Sequence, residues 1–219
     1  MNTKLPSYRT WPNAVALLVV LATVSAQPAK AQRQVQIPGM ARAVNIQIPR
    51  EFISASTSSE VQRRRQITQA LANSPTGKGV VVDVYLTDWA SSNILPLLYV
   101  GTLPSAVGMQ GRIPADFWSE LKEAYTKATY SKIPEIENYL PHSGTALKRL
   151  LAQTDPNSSL VFGFTPADEG KNIAPMLLAR KIQYIRQSIV IFELAVDASA
   201  SNATEALVDY LKDITVTSQ

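Results

Sequence analysis

The residues best suited to covalent chemistry are neighbours in the segment Pro141-His142-Ser143-Gly144. His142 is the only histidine in the chain, and a serine nucleophile needs such a base to accept its proton. Ser143 and His142 are therefore the candidates for a hydrolase. We favour the alternative that His142 lies in a loop or caps a helix, because adjacency in sequence does not create triad geometry and no Gly-x-Ser-x-Gly motif is present.

Paired carboxylates are a second kind of catalytic candidate, since glycosidases use two of them as acid and base or nucleophile. Two pairs lie on predicted helices: Glu120 with Glu123, and Glu135 with Glu137. Lysines surround both pairs, so we interpret them as solvated surface charge.

Four acidic residues lie on predicted strands or at their ends, where carboxylates can gather around a calcium ion: Asp83, Asp88, Asp168 and Glu169. No loop has the alternating Asp/Asn spacing of a calcium loop. A single histidine and the absence of cysteine also argue against zinc. The sequence therefore predicts no metal and no cofactor.

The candidate binding residues are Asp88, Trp89 and Asp168. Trp89 follows Asp88 at the end of a predicted strand, where we expect its indole to be an exposed contact. The alternative for Trp89 is packing in the core. Asp168 lies in the loop before the last predicted hairpin.

Arginines are concentrated in one part of the chain. Residues 32–65 contain six arginines and two acids, for a net charge of +4, whereas residues 66–219 have a net charge of −3. The run Arg63, Arg64 and Arg65 is a basic patch that suits an anionic surface or an acidic partner. We favour a solvated helix face, because exposed charge needs no partner.

The first 31 residues have the three parts of a secretory signal peptide. A basic start precedes the uncharged run Ala14–Ala26, and Ala29-Lys30-Ala31 supplies a cleavage signal, with Val24-Ser25-Ala26 as the alternative. The run has 13 residues, fewer than the roughly 20 of a membrane span. We therefore expect export to the periplasm or extracellular space, with an uncleaved anchor as the alternative.

The signal segment carries three of the 21 basic residues and no acid, which leaves 18 basic and 17 acidic residues. A nucleic-acid-binding domain would be expected to be basic, so nucleic acid is excluded as a partner. Without cysteine the chain has neither disulfides nor a lipid-modified N-terminal cysteine. Its remaining 188 residues are enough to bury one core.

The stretch Met176 to Thr217 organises the predicted fold. Two apolar strands are joined by Arg186, Gln187 and Ser188, which is too short for a parallel crossover and predicts an antiparallel hairpin. Alternate residues of the second strand fall on two faces: Val190, Phe192, Leu194 and Val196 on one, and Ile189, Ile191, Glu193 and Ala195 on the other. A C-terminal amphipathic helix follows, with Asn202 and Glu205 predicted to form a capping box.

Similar patterns predict the other elements. The strands are Val44–Pro49, expected at a sheet edge, Val80–Thr87, Leu95–Thr102 and Leu160–Phe164. One helix is predicted after a capping box at Thr57 to Glu60, a second from Pro114 to Ala128, a third from Ile133 to Leu140 and a fourth that starts at Ser143. The segment from Leu103 to Ile113 is expected to be an exposed loop. These elements predict an α+β fold, a mostly antiparallel sheet flanked by helices. Residues 1–31 form the signal peptide, 32–42 a flexible N-terminus and 43–219 one domain.

In layout the chain resembles the PsbP-like α/β/α sandwich proteins and exported bacterial domains of similar build. The segments that carry the resemblance are Val44–Pro49 with Phe52, the hairpin from Leu177 to Asp197 and the helix from Asn202 to Ile214. The resemblance implies a non-enzymatic accessory or binding module. We therefore expect an exported binding module that contacts a protein or envelope component. The alternatives are a hydrolase that uses His142 with Ser143 or a carboxylate pair, and a membrane-anchored structural protein.

Overall fold

The computed structural model describes residues 30–72, 80–109, 112–168 and 174–217. The strands are β1 (Lys30–Val35), β2 (Val44–Pro49), β3 (Ile53–Ser54), β4 (Val80–Leu86), β5 (Leu97–Thr102), β6 (Ser158–Thr165), β7 (Met176–Ile185), β8 (Ser188–Asp197) and β9 (Thr215–Thr217). The helices are α1 (Val61–Ala72), α2 (Pro104–Gly108), α3 (Ala115–Glu137), α4 (Ser143–Ala152) and α5 (Ala203–Asp213), with a 3-10 turn over Ala55–Thr57. Most of the predicted signal peptide, residues 1–29, lies outside the described residues.

The described strands form two antiparallel sheets. The larger sheet has six strands in the order β3-β4-β5-β8-β7-β6, and the smaller has three in the order β1-β2-β9. Helices flank the sheets, so the predicted α+β class with antiparallel pairing is confirmed.

The β7–β8 hairpin is the longest strand pair, and its register runs from Met176 opposite Asp197 to Ile185 opposite Ser188. The predicted antiparallel pairing is therefore confirmed. Arg186 and Gln187 form a two-residue turn with φ of 51° and 59°. Positive φ at both central residues is the signature of a type I′ turn, whose twist matches that of the flanking strands.

The two faces of β8 line two separate hydrophobic cores, as their alternation predicts. Val190, Phe192, Leu194 and Val196 lie in the first core. This core also holds Ile46 and Ile48 of β2, and side chains of α4 and α5. The smaller sheet and these two helices thus cover one face of the larger sheet.

The second core covers the opposite face of the larger sheet. It combines Ile189, Ile191 and Ala195 of β8 with residues such as Trp89 and Trp118. Helix α3 contributes to both cores, since its Trp118 lies in the second and its Ile133 in the first. The buried Thr129 of α3 donates its hydroxyl to the carbonyl of Leu160 in β6 at 2.7 Å, which fixes the helix along this edge strand.

The N-terminal segment differs from the prediction. Residues 32–42 were expected to be flexible, but β1 begins at Lys30 and pairs along its whole length with β2. Val35, Ile37 and Met40 are buried in the first core. Strand β2 is therefore not at an edge, because β1 and β9 flank it. The segment has few apolar residues among its Gln and Arg, so its composition does not show that several of its side chains are buried.

Two helical segments also differ from the prediction. The expected exposed loop from Leu103 to Ile113 contains α2, and its Ala106 and Ile113 are fully buried. Helix α3 continues through Pro134 to Glu137 instead of restarting there. Proline removes one helical hydrogen bond, but the buried Ile133 and the following Ile136 hold both sides of it against the first core.

Both predicted capping boxes are absent. Thr57 donates its hydroxyl to the carbonyl of Ser54 instead of capping α1. Asn202 precedes α5 as predicted, but its side chain caps no backbone N–H of that helix. Strand β9, which follows α5 and pairs with β2, has no counterpart in the predicted elements.

Strand β4 contains an irregularity that changes which side chains share a face. Its register with β5 shifts between Val81 and Asp83. Val82 consequently packs against the first core, whereas Val84 lies in the second, although strict alternation predicts that they share a face. Gly101 of β5 is required here, because a Cβ at this position would lie 2.6 Å from the carbonyl oxygen of Val80.

The turn of the β7–β8 hairpin provides a stability test. Replacing Arg186 by Asn and Gln187 by Gly should stabilise the protein by about 1 kcal/mol, because Asn and Gly adopt positive φ at lower cost. For a chain of this size this corresponds to a rise in Tm of about 2–4 °C in a thermal melt followed by circular dichroism. The control Gln187→Ala keeps a Cβ at positive φ and should not raise Tm. An unchanged or lower Tm for the double variant would contradict the turn assignment.

Candidate functional site

The open edge of the larger sheet is the main candidate site in the described part of the chain. Strand β3 has only two residues and pairs only with Leu86 and Tyr85 of β4. Residues Val80–Val84 therefore have β5 on one side and no strand on the other within the described segments. Such an edge presents backbone N–H and C=O groups that lack ladder partners.

A groove lies along this open edge, with a volume of about 430 Å³. We call it the edge groove, and its lining residues are Val81–Val84 of β4, Arg64, Arg65, Thr68 and Gln69 of α1, and Ala55 and Ser56 of the 3-10 turn. One wall is thus the edge strand and the other is a helix with charged and polar side chains.

Asp83 holds the 3-10 turn against the strand. Its Oδ2 accepts a hydrogen bond from the Ser54 hydroxyl at 2.6 Å, and its Oδ1 accepts one from the Val84 backbone N–H at 2.9 Å. Ser54 Oγ also accepts a bond from the backbone N–H of Ser56. This carboxylate therefore shapes the groove and has both oxygens engaged.

Two of the three arginines of the predicted basic patch line the groove. Arg64 lines it and donates from Nη1 to the carbonyl of Ala55 at 3.1 Å. Arg65 also lines it and is exposed, and its side chain forms neither an ion pair nor a hydrogen bond with another described residue. Arg63 lies outside the lining. Two guanidinium groups are therefore available beside the edge strand.

Trp89 supports the groove from behind and is not the exposed contact that the sequence predicts. It is only 5% exposed, packs in the second core and donates from Nε1 to the carbonyl of Ile53 at 2.8 Å. This bond fixes β3, the strand that leads into the 3-10 turn. The core-packing alternative for Trp89 is thus correct, and the reason is that its indole bridges the loop after β4 to β3.

The other candidate binding residues have different surroundings. Asp88 is exposed, and its Oδ1 accepts a bond from the backbone N–H of Ala90, which closes a local turn. Asp168 lies at the end of a described segment, and the neighbouring Glu169 is outside the described residues. Within the described residues no group of three or more His, Cys, Asp or Glu side chains could hold a metal ion.

His142 and Ser143 do not form a catalytic pair in the described structure. Both line a cavity of about 290 Å³, but the Ser143 hydroxyl is buried and has no hydrogen-bond partner among the described residues. His142 has a left-handed backbone with φ of 73° and precedes the first residue of α4. The histidine therefore lies at the N-cap position of α4, and its side chain makes no capping hydrogen bond there.

The glutamates of the two predicted pairs have interaction partners of their own. Glu123 forms an exposed ion pair with Lys127 at 2.7 Å, and this lysine lowers the pKa of its carboxyl. Glu135 pairs with Lys132, also at 2.7 Å. The Glu137 carboxylate instead lies against Gly144 in the first turn of α4. Glu123 and Glu135 are thus each paired with a lysine, and Glu137 lies in a different setting from Glu135.

A partly buried polar array crosses the second-core face of the larger sheet. Tyr99, Glu193 and Arg180 lie opposite one another on β5, β8 and β7. Glu193 Oε2 accepts bonds from the Tyr99 hydroxyl at 3.1 Å and from Arg180 Nε at 2.7 Å. Burial, and then the charge of Glu193, raises the pKa of Tyr99. The carboxylate is thus committed to an ion pair that joins three strands.

The sequence did not indicate the edge groove. Thr68 and Gln69 lie on a predicted polar helix face and Asp83 in a predicted strand, and no spacing relates them. The only local signals are the short stretch after Phe52 and the acidic residue within an otherwise apolar strand.

In the described part of the chain, no helix is long and apolar enough to span a membrane. Comparison with protein-family models, curated proteins and solved structures found no match to this chain.

The polar array predicts a loss of stability at alkaline pH. Because the pKa of folded Tyr99 lies above its ordinary value of 10.0, the unfolded chain ionises first as the pH rises. The stability that Tyr99 contributes is complete below pH 10 and is lost as the pH rises through its folded-state pKa. Tyr99→Phe should lower the free energy of unfolding at neutral pH by about 1 kcal/mol, through loss of the bond to Glu193.

The same variant should lose less stability than the wild type between about pH 9 and pH 11.5, measured by urea unfolding at each pH. Tyr130→Phe removes a half-exposed tyrosine and is the control, which should keep the wild-type slope. Parallel curves of stability against pH for Tyr99→Phe and the wild type would contradict the assignment of the alkaline loss of stability to Tyr99.

Proposed function

We propose that this protein is an exported, non-enzymatic binding module that contacts a protein partner, and that an extended segment of the partner adds to β4 in the edge groove. The observation that carries the proposal is the combination of an open strand edge at Val80–Val84 with a groove directly beside it. Strand addition is an established mode of peptide recognition, in which main-chain bonds give affinity and flanking pockets give specificity.

The dimensions and chemistry of the edge groove support this role. Its volume of about 430 Å³ lies within the usual range of ligand pockets, roughly 300–1,000 Å³. Its polar side chains are mainly donors, and its carboxylate, Asp83, already accepts two hydrogen bonds. Such an arrangement suits recognition of a chain segment better than bond cleavage.

The edge also has features that oppose indiscriminate pairing. Charged side chains and strand irregularities on edge strands discourage aggregation. Asp83 places a carboxylate on the edge strand, and the register shift between Val81 and Asp83 interrupts its regular ladder. Arg65 adds a charge on the facing wall. A partner must therefore fit these features, which favours a specific segment over a second sheet.

Export is supported by the signal-like N-terminus and the resemblance in layout to exported accessory proteins. The strand pairing also bears on the two cleavage signals. Lys30 and Ala31 belong to β1, where they pair with Pro49 and Ile48. Lys30 additionally forms an ion pair with Asp213 at 3.2 Å.

We therefore expect cleavage after Ala26, so that the exported protein begins at Gln27. A cut after Ala31 would remove two residues of β1 together with the ion pair. N-terminal sequencing of the exported protein gives the position directly. The purified chain that begins at Gln27 should also have a higher Tm than one that begins at Gln32. Recovery of a Gln32 start, with equal Tm for both chains, would contradict this expectation.

The binding proposal is tested by filling the groove. Peptides selected from a displayed random library against the exported protein should bind the wild type, with affinity measured by fluorescence anisotropy. Thr68→Tyr places an aromatic ring in the groove and should weaken binding by at least about tenfold. Gln66→Tyr makes the same change at an exposed position of α1 outside the groove lining and should have no effect.

A backbone test separates strand addition from other binding modes. Along an added strand, every second amide faces the sheet edge. Methylation of single amide nitrogens of a selected peptide should therefore weaken binding at alternate positions only. Uniform tolerance of methylation, or equal affinity of Thr68→Tyr and Gln66→Tyr, would refute the proposal. Thermal melts of both variants check that folding is unchanged.

A further inference from the structure

We propose that the segment received by the edge groove carries a carboxylate side chain, which Arg64 and Arg65 bind. This inference rests on the proposed function and adds the chemistry of the ligand. It starts from the two walls of the groove, which differ in their hydrogen-bonding groups.

The helix wall consists of two rows of side chains, and the two members of each row lie one helical turn apart. Arg64 and Thr68 form one row, and Arg65 and Gln69 form the other, since residues four apart lie on the same side of a helix. All four side chains can donate hydrogen bonds, and the two guanidinium groups cannot accept any. This wall is therefore complementary to acceptors.

The arginines retain donor capacity for a ligand. The bond from Arg64 to the Ala55 carbonyl uses Nη1 and orients the guanidinium at the groove. The Arg65 side chain makes no hydrogen bond or ion pair with another described residue. A guanidinium carries five N–H donors in a planar fork that matches a carboxylate, and charge-assisted bonds of this type are about twice as strong as neutral ones.

Asp83 determines where the ligand carboxylate lies. Its two oxygens accept bonds from Ser54 and Val84, and its carboxylate lies on the strand wall. It would repel a second carboxylate beside it. The favourable position for the ligand anion is therefore against Arg64 and Arg65, with the backbone of the segment along β4. Charge complementarity thus specifies an acidic residue at one position of the segment.

The probes are two series of acetylated and amidated octapeptides of alternating Val and Thr, labelled with a fluorophore. One series carries a single Glu at each position in turn, and the other carries Gln at the same positions. At least one Glu peptide should bind the exported protein about tenfold or more tightly than its Gln counterpart. Binding is measured by anisotropy at about 150 mM salt, where long-range charge effects are screened.

Two variants with the same change in net charge separate a specific contact from a general field. Arg65→Glu should remove the preference for the Glu peptide over its Gln counterpart. Arg63→Glu alters the same helix outside the groove lining and should preserve the preference. Equal affinity for Glu and Gln peptides, or equal losses in both variants, overturns the inference.

The outcomes also separate this inference from the proposed function. If Gln and Glu peptides bind equally and Thr68→Tyr abolishes both, strand addition stands and the carboxylate inference fails. If Thr68→Tyr leaves the binding of both peptides unchanged, the groove is not the site and both proposals fail. A dimer detected by light scattering that Thr68→Tyr dissociates would identify a second copy of the chain as the occupant, which also overturns the inference.

Discussion

Strand β8 is buried on both of its faces, and the packing of the domain depends on this. Phe192 and Leu194 contact the smaller sheet and its helices on one side, while Ile191 and Ala195 contact the second core on the other. Antiparallel partners β5 and β7 satisfy its backbone on both edges. The partly buried charge of Glu193 is compatible with this position because Arg180 and Tyr99 contact it from the neighbouring strands.

This central position explains why the edge groove forms where it does. β5 lies between β8 and β4, so β4 is two strands away from the centre and needs a cover only on its far side. β3 supplies that cover for Tyr85 and Leu86 and then turns away into the 3-10 turn. The indole of Trp89 holds β3 in this position. The edge groove thus exists because β3 ends after two residues.

The features that the sequence predicts well are those with strong local periodicity. The β7–β8 hairpin, its two faces and the start of α3 follow from alternation or helical spacing alone. The sequence fails where tertiary contacts override local preference: Pro134 inside a helix, and Trp89 in a core instead of at the surface. The edge groove could not be predicted, because it joins α1 to β4 and depends on the length of β3.

The smaller sheet has a mechanical consequence. Both β1 and β9 pair antiparallel with β2, so they run parallel to each other on its two sides. Lys30 lies beside the end of β2 at Pro49, whereas Thr217 lies beside its start at Asn45. Tension applied between residues 30 and 217 therefore pulls the two outer strands in opposite directions along their axes. The inter-strand hydrogen bonds then bear the load in shear, together, and do not open one by one as in a hairpin pulled apart from its open end.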